Sequence, residues 1–517
     1  MNKQTANPAH MQVNMPVKKV VIAGGGTAGW MAAAAISKLL GKAVSVTLVE
    51  SDQIPTIGVG EATIPTLHIL HQLLGINEAE FMSATNATFK LGISFENWKD
   101  LNQDYIHSFG YLGQDCWACG FHHFWRKGLD LGLVSEIGDY CPEHLASREG
   151  RFAVMANQDL NHAYHLDAGL YAKFLQGIAF KHGCERVEGK ISQVHQDNHT
   201  GFITTLTLDN GQQVSGDLFI DCTGFRGLLI EQALHTGFDD WSHYLPCNSA
   251  IAVQTETVGS PVPYTRSIAR DAGWQWRIPL QNRTGNGFVF CDKYISDEQA
   301  IDTLLSNIEG KTLNDPRVIK YTTGTRRKHW NKNCIAVGLS GGFVEPLEST
   351  GIHLFQKAIV RLLQLFPHTG IDDAIVDEFN KQTQEEMDNI RDFIVLHYYQ
   401  TERNDTPFWR HCANMPIPDS LKHRMALFKE SGRVFKKAEE LFGEASWVQV
   451  MMGQGLLPDQ YHPIVDQMSE QELANFLNRI KQNTSKKVAS WPSHIDFINH
   501  YCRSKVSRSK TNSAEAS

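Results

Sequence analysis

The run Lys19-Val20-Val21-Ile22-Ala23, followed by Gly24-Gly25-Gly26-Thr27-Ala28-Gly29 and an alanine-rich stretch from Trp30 to Leu40, constrains this chain more than any other feature. The apolar, β-branched run reads as a buried strand, and the stretch after the glycines reads as a helix that ends at Gly41. Glycines are required where the backbone turns sharply and approaches a pyrophosphate, which then rests on the amides and the positive end of the helix. A second strand, Val44 to Val49, ends in Glu50, 26 residues after Gly24 and placed to accept from a ribose hydroxyl. Strand, glycine turn, helix and answering acid predict a dinucleotide-binding α/β domain. Gly24, Gly26, Thr27, Ala28, Gly29 and Glu50 are its candidate cofactor contacts.

A chain of 517 residues exceeds what one simple core serves, so more than one lobe is expected. The first half mixes short β-branched runs with helices. After about Gly351 helical periodicity dominates, with Ile352, Phe355, Ile359, Leu362, Leu363 and Phe366 in phase. Residues 17–395 are read as the cofactor-binding domain with inserted substrate-facing segments, and 396–503 as a mainly helical substrate-binding region. The polar ends, 1–16 and 504–517, are expected to be disordered. A net charge of −8 with no long basic run argues against a nucleic-acid partner. No apolar run approaches about eighteen residues and no secretory signal opens the chain, so a cytoplasmic protein without a membrane partner is expected.

Ten cysteines without framework spacing read as reduced thiols. Cys116-x-x-Cys119 with His122 and His123 has the residue types of a zinc site. Structural sites usually separate two ligand pairs by about a dozen residues, however, and the surrounding Trp117, Phe121, Phe124 and Trp125 read as packing, so no metal is expected.

Two later segments favour FAD over NAD. Asp221-Cys-Thr-Gly224 follows the apolar Leu218-Phe-Ile220, and Ile335-Ala-Val-Gly338 leads into Leu339. Both resemble late motifs of flavin monooxygenases of the glutathione-reductase type, and they add Asp221, Gly224, Gly338 and Leu339 to the cofactor set. Hydroxylases of that type carry an aspartate where Leu339 stands. Trp274-Gln-Trp276-Arg-Ile-Pro279 places two indoles on one face of an extended segment, a pattern that by itself is most often core packing. The glycine turn, Gly58 to Thr66 (with Gly60, Glu61 and Ala62 at the cofactor), Phe89-Lys90 with Trp98, Trp274 to Pro279, and Glu345-Pro-Leu-Glu348-Ser349-Thr350-Gly351 occur in this order. Together they resemble the flavin-dependent tryptophan halogenase family over nearly the whole chain.

The resemblance implies an FAD-binding, Rossmann-like α/β fold with a mixed sheet and a helical substrate-binding region. It implies reduced FAD supplied by a separate flavin reductase, with O2 and chloride or bromide giving hypohalous acid that travels to an aromatic pocket. Lys90 would deliver the halogen and Glu348 would stabilise the cationic ring and help remove its proton. The amides of Thr350 and Gly351 would hold the halide, Ser349 would touch the flavin and substrate compartments, and Trp274 and Trp276 would bar substrate from the flavin. His107 and Phe109, in Tyr105-Ile-His107-Ser-Phe109, would sandwich an indole. Taken without the family, Lys90 is a lysine on a strand or helix edge, Glu348, Ser349 or Thr350 caps the helix that starts near Gly351, and the His-x-Phe pair is core.

Family members that act on free tryptophan add a C-terminal lid with paired tyrosines, a glutamate and a Phe-Trp step. Here the corresponding Ser431 to Trp447 is short, lacks a tyrosine pair and has Leu441-Phe442 at that step. Without a clamp for an amino acid's two charges, the expected substrate is indole or a similar electron-rich aromatic, with Phe442 against it. A more open site favours bromide, the more easily oxidised halide, over chloride. The alternatives are a free-tryptophan halogenase, an FAD monooxygenase that hydroxylates an aromatic ring, and a non-catalytic FAD-binding regulator. A monomer or homodimer is expected. Flavin supplied from outside binds loosely, so purified protein should carry little FAD and show no activity with NADH alone; stoichiometric FAD reduced directly by NADH, read by absorbance, would contradict this.

Overall fold

The computed structural model describes residues 16–54, 60–154, 160–367, 369–437 and 440–504. Six strands form a sheet in the order Trp330–Asn331, Cys334–Ala336, Leu218–Asp221, Lys19–Ala23, Ser45–Glu50, Glu185–Glu188. All neighbours are parallel except the first pair. Lys19–Ala23 lies in the middle and is buried beyond Lys19, as expected of an apolar strand in a parallel sheet covered on both faces.

The helix Thr27–Leu40 begins three residues before the stretch that its apolar pattern marks. Gly26 stands extended at its N-cap, and a Cβ at Gly29 would lie 1.9 Å from the Gly24 carbonyl oxygen, so only glycine lets the helix start this close to the strand. Ala28 to Ser37 are all buried. Their small side chains allow close approach to the helix Ala168–Lys181, with Trp30 set edge-on against Phe180.

A second sheet runs in the order Arg317–Lys320, Ser249–Thr255, Thr284–Phe290, Gly273–Pro279, Thr265–Arg270, Gly92–Glu96, Asp104–Ser108. It is antiparallel except where Thr265–Arg270 runs parallel to Gly92–Glu96. The expected mixed β-structure is thus divided between two large sheets. A small sheet, Gly60–Ala62, Ala163–Asp167, Thr88–Lys90, contributes the strand that ends in Lys90.

Six helices carry most of the C-terminal part: Asp373–Tyr399, Pro407–Asn414, Asp419–Ser431, Glu444–Gly453, Glu470–Ala489 and His494–Tyr501. The first is 27 residues long and runs unbroken across residues 395 and 396, where the sequence reading divides the chain. Its residues Asp392 to Tyr398 are all buried, and Phe393 to Leu396 with Tyr398 enter one apolar cluster with Trp98, Trp274, Trp276, Phe408, Trp409, Phe442 and Trp447. A second cluster packs Thr27–Leu40 and Phe89 against the parallel sheet.

Of the ends expected to be disordered, 1–15 and 505–517 lie outside the described residues. Ser504 is held, donating its backbone N–H to Gln281 Oε1 at 2.7 Å. All ten cysteines are free thiols, and no helix among the described residues is long and apolar enough to cross a membrane. Gly24 has φ of +108°, and a Cβ there would lie 2.3 Å from the Cys222 carbonyl oxygen. Gly24→Ala should therefore destabilise the fold by at least about 1–3 kcal/mol, measured by urea denaturation.

Candidate active site

At the glycine turn the first-turn amides of Thr27–Leu40 have no side-chain cap, and a Cβ at Gly26 would meet nothing within 4 Å. Free amides beside open space suit a pyrophosphate. Glu50, the last residue of its strand, accepts from Arg186 Nε at 2.6 Å and lies across Gly25, where a Cβ would collide with Oε2. Gly338 (φ +88°) brings its strand end against Ala28, with half-buried Leu339 next to it, and Gly224 (φ +70°) borders open space. Gly60, Glu61 and Ala62 form a strand, and burial pushes the Glu61 carboxyl up to about 7. These residues fit a bound dinucleotide. Asp221 does so only indirectly, since Oδ1 accepts from the Thr223 amide and hydroxyl and Oδ2 from the Leu229 and Ile230 amides. It shapes the loop. Gly58 lies outside the described residues.

Lys90 is fully buried. Its Nζ donates to the Thr63 carbonyl at 3.0 Å and to Ser349 Oγ at 2.7 Å, and stands 5.2 Å from the centre of the Phe109 ring. Burial lowers its pKa from 10.5 to about 7, against the opposing pull of the Glu348 charge. Ser349 has φ of +60°, a left-handed conformation that is uncommon for serine. The turn it makes leads directly into the helix Gly351–Gln364, whose N-cap Thr350 makes no side-chain cap bond. Thr350 Oγ1 is buried without a hydrogen-bond partner, and a Cβ at Gly351 would meet nothing within 4 Å. The capping alternative is therefore not what is found for Ser349 or Thr350. An uncapped helix start beside open space suits a halide.

Glu348, also fully buried, faces two histidines. His107 Nδ1 lies 2.9 and 3.0 Å from the two carboxylate oxygens. His397 Nε2 approaches Oε1 to 2.8 Å, within ion-pair distance. Burial pushes the Glu348 carboxyl up, but the two imidazoles outweigh it and hold it down at about 2. His397 Nδ1 donates to the Phe393 carbonyl at 2.8 Å, so its other nitrogen carries a hydrogen towards Glu348 only when the ring is doubly protonated. His107 Nε2 is buried and has no hydrogen-bond partner.

The first acid of the same motif has a different task. Glu345 Oε2 accepts from Trp274 Nε1 at 3.0 Å and Tyr398 OH at 2.6 Å, while burial raises its carboxyl to about 7. Trp276 lies flat on Gly287, where a Cβ would stand 1.9 Å from the ring, and the two indole centres are 6.1 Å apart. Phe442 stacks on Phe393 at 3.8 Å and sits 6.4 Å from the His107 ring. Glu440, two residues before it in that lid, is engaged by Arg424 at 2.6 and 3.1 Å.

The structure thus gathers Lys90, Ser349, Glu348, His107, Phe109 and Phe442, and adds His397, Phe393 and Thr63, which sequence reasoning missed. Phe393 and His397 sit one helical turn apart, and in sequence that spacing is indistinguishable from a core stripe. The Cys116 and Cys119 sulfurs are 3.6 Å apart, but His122 Nε2 bonds the Gly432 carbonyl and His123 Nδ1 accepts from the His462 amide. Those four side chains do not converge on a metal.

A dinucleotide-type fold with a dry lysine–glutamate centre sets the class, an enzyme built on a dinucleotide cofactor, and comparison with known proteins narrows it to a flavin-dependent oxidoreductase. The family model for tryptophan halogenase matches residues 19–470, and the chain belongs to this family of flavin-dependent halogenases. Tryptophan 6-halogenase ThaL from Streptomyces albogriseolus is 35% identical, over 93% of this chain and 98% of the relative. A flavin-dependent halogenase structure from Xanthomonas campestris has 54% identity and a TM-score of 0.93, covering 95% of this chain and 99% of the other. Flavin-dependent halogenase BrvH from Brevundimonas sp. has 43% identity and a TM-score of 0.90, covering 93% and 99%.

Because the folded pKa of Lys90 is about 7 and its ordinary value 10.5, the unfolded chain binds a proton between these pH values that the folded chain does not. Stability therefore rises with pH across that window, and the burial penalty is complete below pH 7. Lys90→Met should raise the melting temperature most at or below pH 7, with the gain fading towards pH 10.5 in calorimetric scans.

Proposed function

We propose that this enzyme halogenates indole or a similar small electron-rich aromatic ring in preference to free tryptophan, and uses bromide more readily than chloride. The observation that carries the reading is the buried Lys90 amine, bonded to Ser349 and set in one dry centre with Glu348 and its two histidines. FAD, held by the Gly24–Gly29 turn, Glu50, Gly60–Ala62, Gly224 and Gly338–Leu339, would supply in its reduced form and with O2 the oxidation of halide to hypohalous acid. A separate flavin reductase would provide the reduced cofactor, in the cytoplasm.

The halide rests on the uncapped Thr350 and Gly351 start of the helix, and Trp274 and Trp276 wall the substrate off from the flavin. Lys90, with an amine poised near neutrality, donates an N–H to the hypohalous acid or takes up the halogen itself. The ring carbon then forms its bond to halogen as the halogen–oxygen bond breaks, the oxygen leaving as water with a proton from Lys90. If Lys90 took up the halogen with loss of water, the halogen–nitrogen bond breaks instead and the amine is regenerated by a proton. On either route the ring's positive charge falls beside Glu348. A carboxyl held down at about 2 is a weak base but a persistent anion, so electrostatic stabilisation is its main contribution. The ring proton leaves towards the Glu348–His107 pair. Phe109 and Phe442 bracket the ring. In this division residues 17–395 hold the flavin and carry the inserted substrate-facing segments with His107, Phe109 and Glu348, and 396–503 add Phe442 to the substrate pocket. Engagement of Glu440 by Arg424 supports a site without a clamp for an amino acid's ammonium group.

The test supplies reduced FAD, O2, and bromide or chloride to a panel containing indole and free tryptophan, with products read by mass spectrometry. Brominated indole is expected in excess of chlorinated indole and of halogenated tryptophan, and Lys90→Ala should lower the rate by about 100-fold or more. Hydroxylated indole formed without halide would overturn the reaction, and faster turnover of tryptophan would overturn the substrate class.

A further inference from the structure

His68, Glu78 and His162 stand together outside the active centre, with one ligand-type atom of each within 4.8 Å of the others. Each histidine has one nitrogen committed to the backbone: His68 Nε2 bonds the His162 carbonyl at 2.8 Å, and His162 Nδ1 bonds the Leu160 carbonyl at 3.0 Å. Carbonyls only accept, so both of those nitrogens carry the ring hydrogen and both remaining lone pairs point inward. Metal-binding histidines are oriented in this way, with the outer N–H given to a carbonyl and the inner nitrogen left bare.

The inward side then lacks hydrogens. His68 Nδ1 meets Tyr164 OH at 3.1 Å, Tyr164 OH meets Glu78 Oε1 at 2.5 Å, and Glu78 Oε1 meets His162 Nε2 at 2.9 Å. With neutral rings these three contacts share one hydrogen, that of Tyr164. Tyr501 donates separately to Glu78 Oε2 at 2.9 Å. Charging both rings to supply the missing hydrogens would set two imidazolium ions 4.5 Å apart, centre to centre, against one carboxylate. A single divalent cation satisfies all three ligands at once.

We propose that His68 Nδ1, His162 Nε2 and the Glu78 carboxylate bind zinc or a similar first-row divalent cation, with solvent completing the coordination. Tetrahedral zinc holds nitrogen and oxygen ligands about 3.4 Å from one another, close to the separation of Glu78 and His162. Glu78, whose side chain is 24% exposed, has room to move toward the ion. The ion is a staple. It joins the helices Leu67–Leu73 and Glu78–Ala84 to His162, the residue before Ala163, and Ala163 is the strand partner of Lys90. Sequence spacing does not announce such a site, because its ligands are spread over 95 positions from 68 to 162.

The experiment uses the full chain stripped with a chelator and titrated with zinc and, separately, cobalt(II). One equivalent of zinc should bind and raise the melting temperature. Cobalt should give visible d–d absorption without the near-ultraviolet charge-transfer bands of thiolate ligation. Glu78→Gln and His162→Phe should each weaken zinc binding at least about 10-fold, with folding checked by circular dichroism. Should either variant misfold, the cobalt spectrum of the unaltered protein still decides. No cobalt absorption, a thiolate spectrum, or unchanged affinity in folded variants would overturn the proposal.

Discussion

Burial of the Lys90 amine together with the Glu348 carboxylate is the constraint on which the rest of this structure depends. A cation and an anion removed from water are tolerated only when hydrogen bonds and opposite charge replace hydration. The protein supplies these from four places: Thr63 after a short strand, Ser349 in a left-handed turn, His107 on an edge strand, and His397 near the end of a long helix. Each element must stand where it does for the centre to stay charged and dry. The 27-residue helix that brings in His397 also sends Tyr398 to Glu345, so one helix supports both acids of the motif.

Those two acids show how environment divides identical chemistry. Glu345 receives an indole N–H and a phenol, neutral donors that only partly offset burial, and its carboxyl moves up to about 7. Glu348, three residues on, meets two imidazoles and moves down to about 2. The first anchors Trp274 and the second keeps a permanent negative charge beside Lys90. The tryptophan pair and the Glu-Pro-Leu-Glu motif, far apart in the chain, are therefore one construction joined by the Trp274–Glu345 bond.

Much of the fold was legible because its signals are local. Apolar strand, glycine turn and terminal acid follow from backbone sterics within about thirty residues, and the structure differs mainly in starting the helix at Thr27. Lys90, Glu348, His107 and Phe109 were legible through motif resemblance, and they do converge. Asp221 follows its apolar run as read, and its carboxylate takes four donors from Thr223, Leu229 and Ile230 just after it. His397, Phe393 and Thr63 carried no readable signal, because a buried histidine on an apolar helix looks like any core residue until its distant partner is known.

The sequence by itself determined the dinucleotide-type domain, which rests on short-range rules, glycine where a Cβ would collide, alternation along a strand and periodicity along a helix, while the family was read from the resemblance of its ordered motifs. Only the tertiary structure decided which acid is ionised, which tryptophan is tethered, which histidines flank the carboxylate and where His68 and His162 gather with Glu78. Protonation and ligation depend on burial and on groups hundreds of positions apart, and those quantities come into being only when the chain is packed.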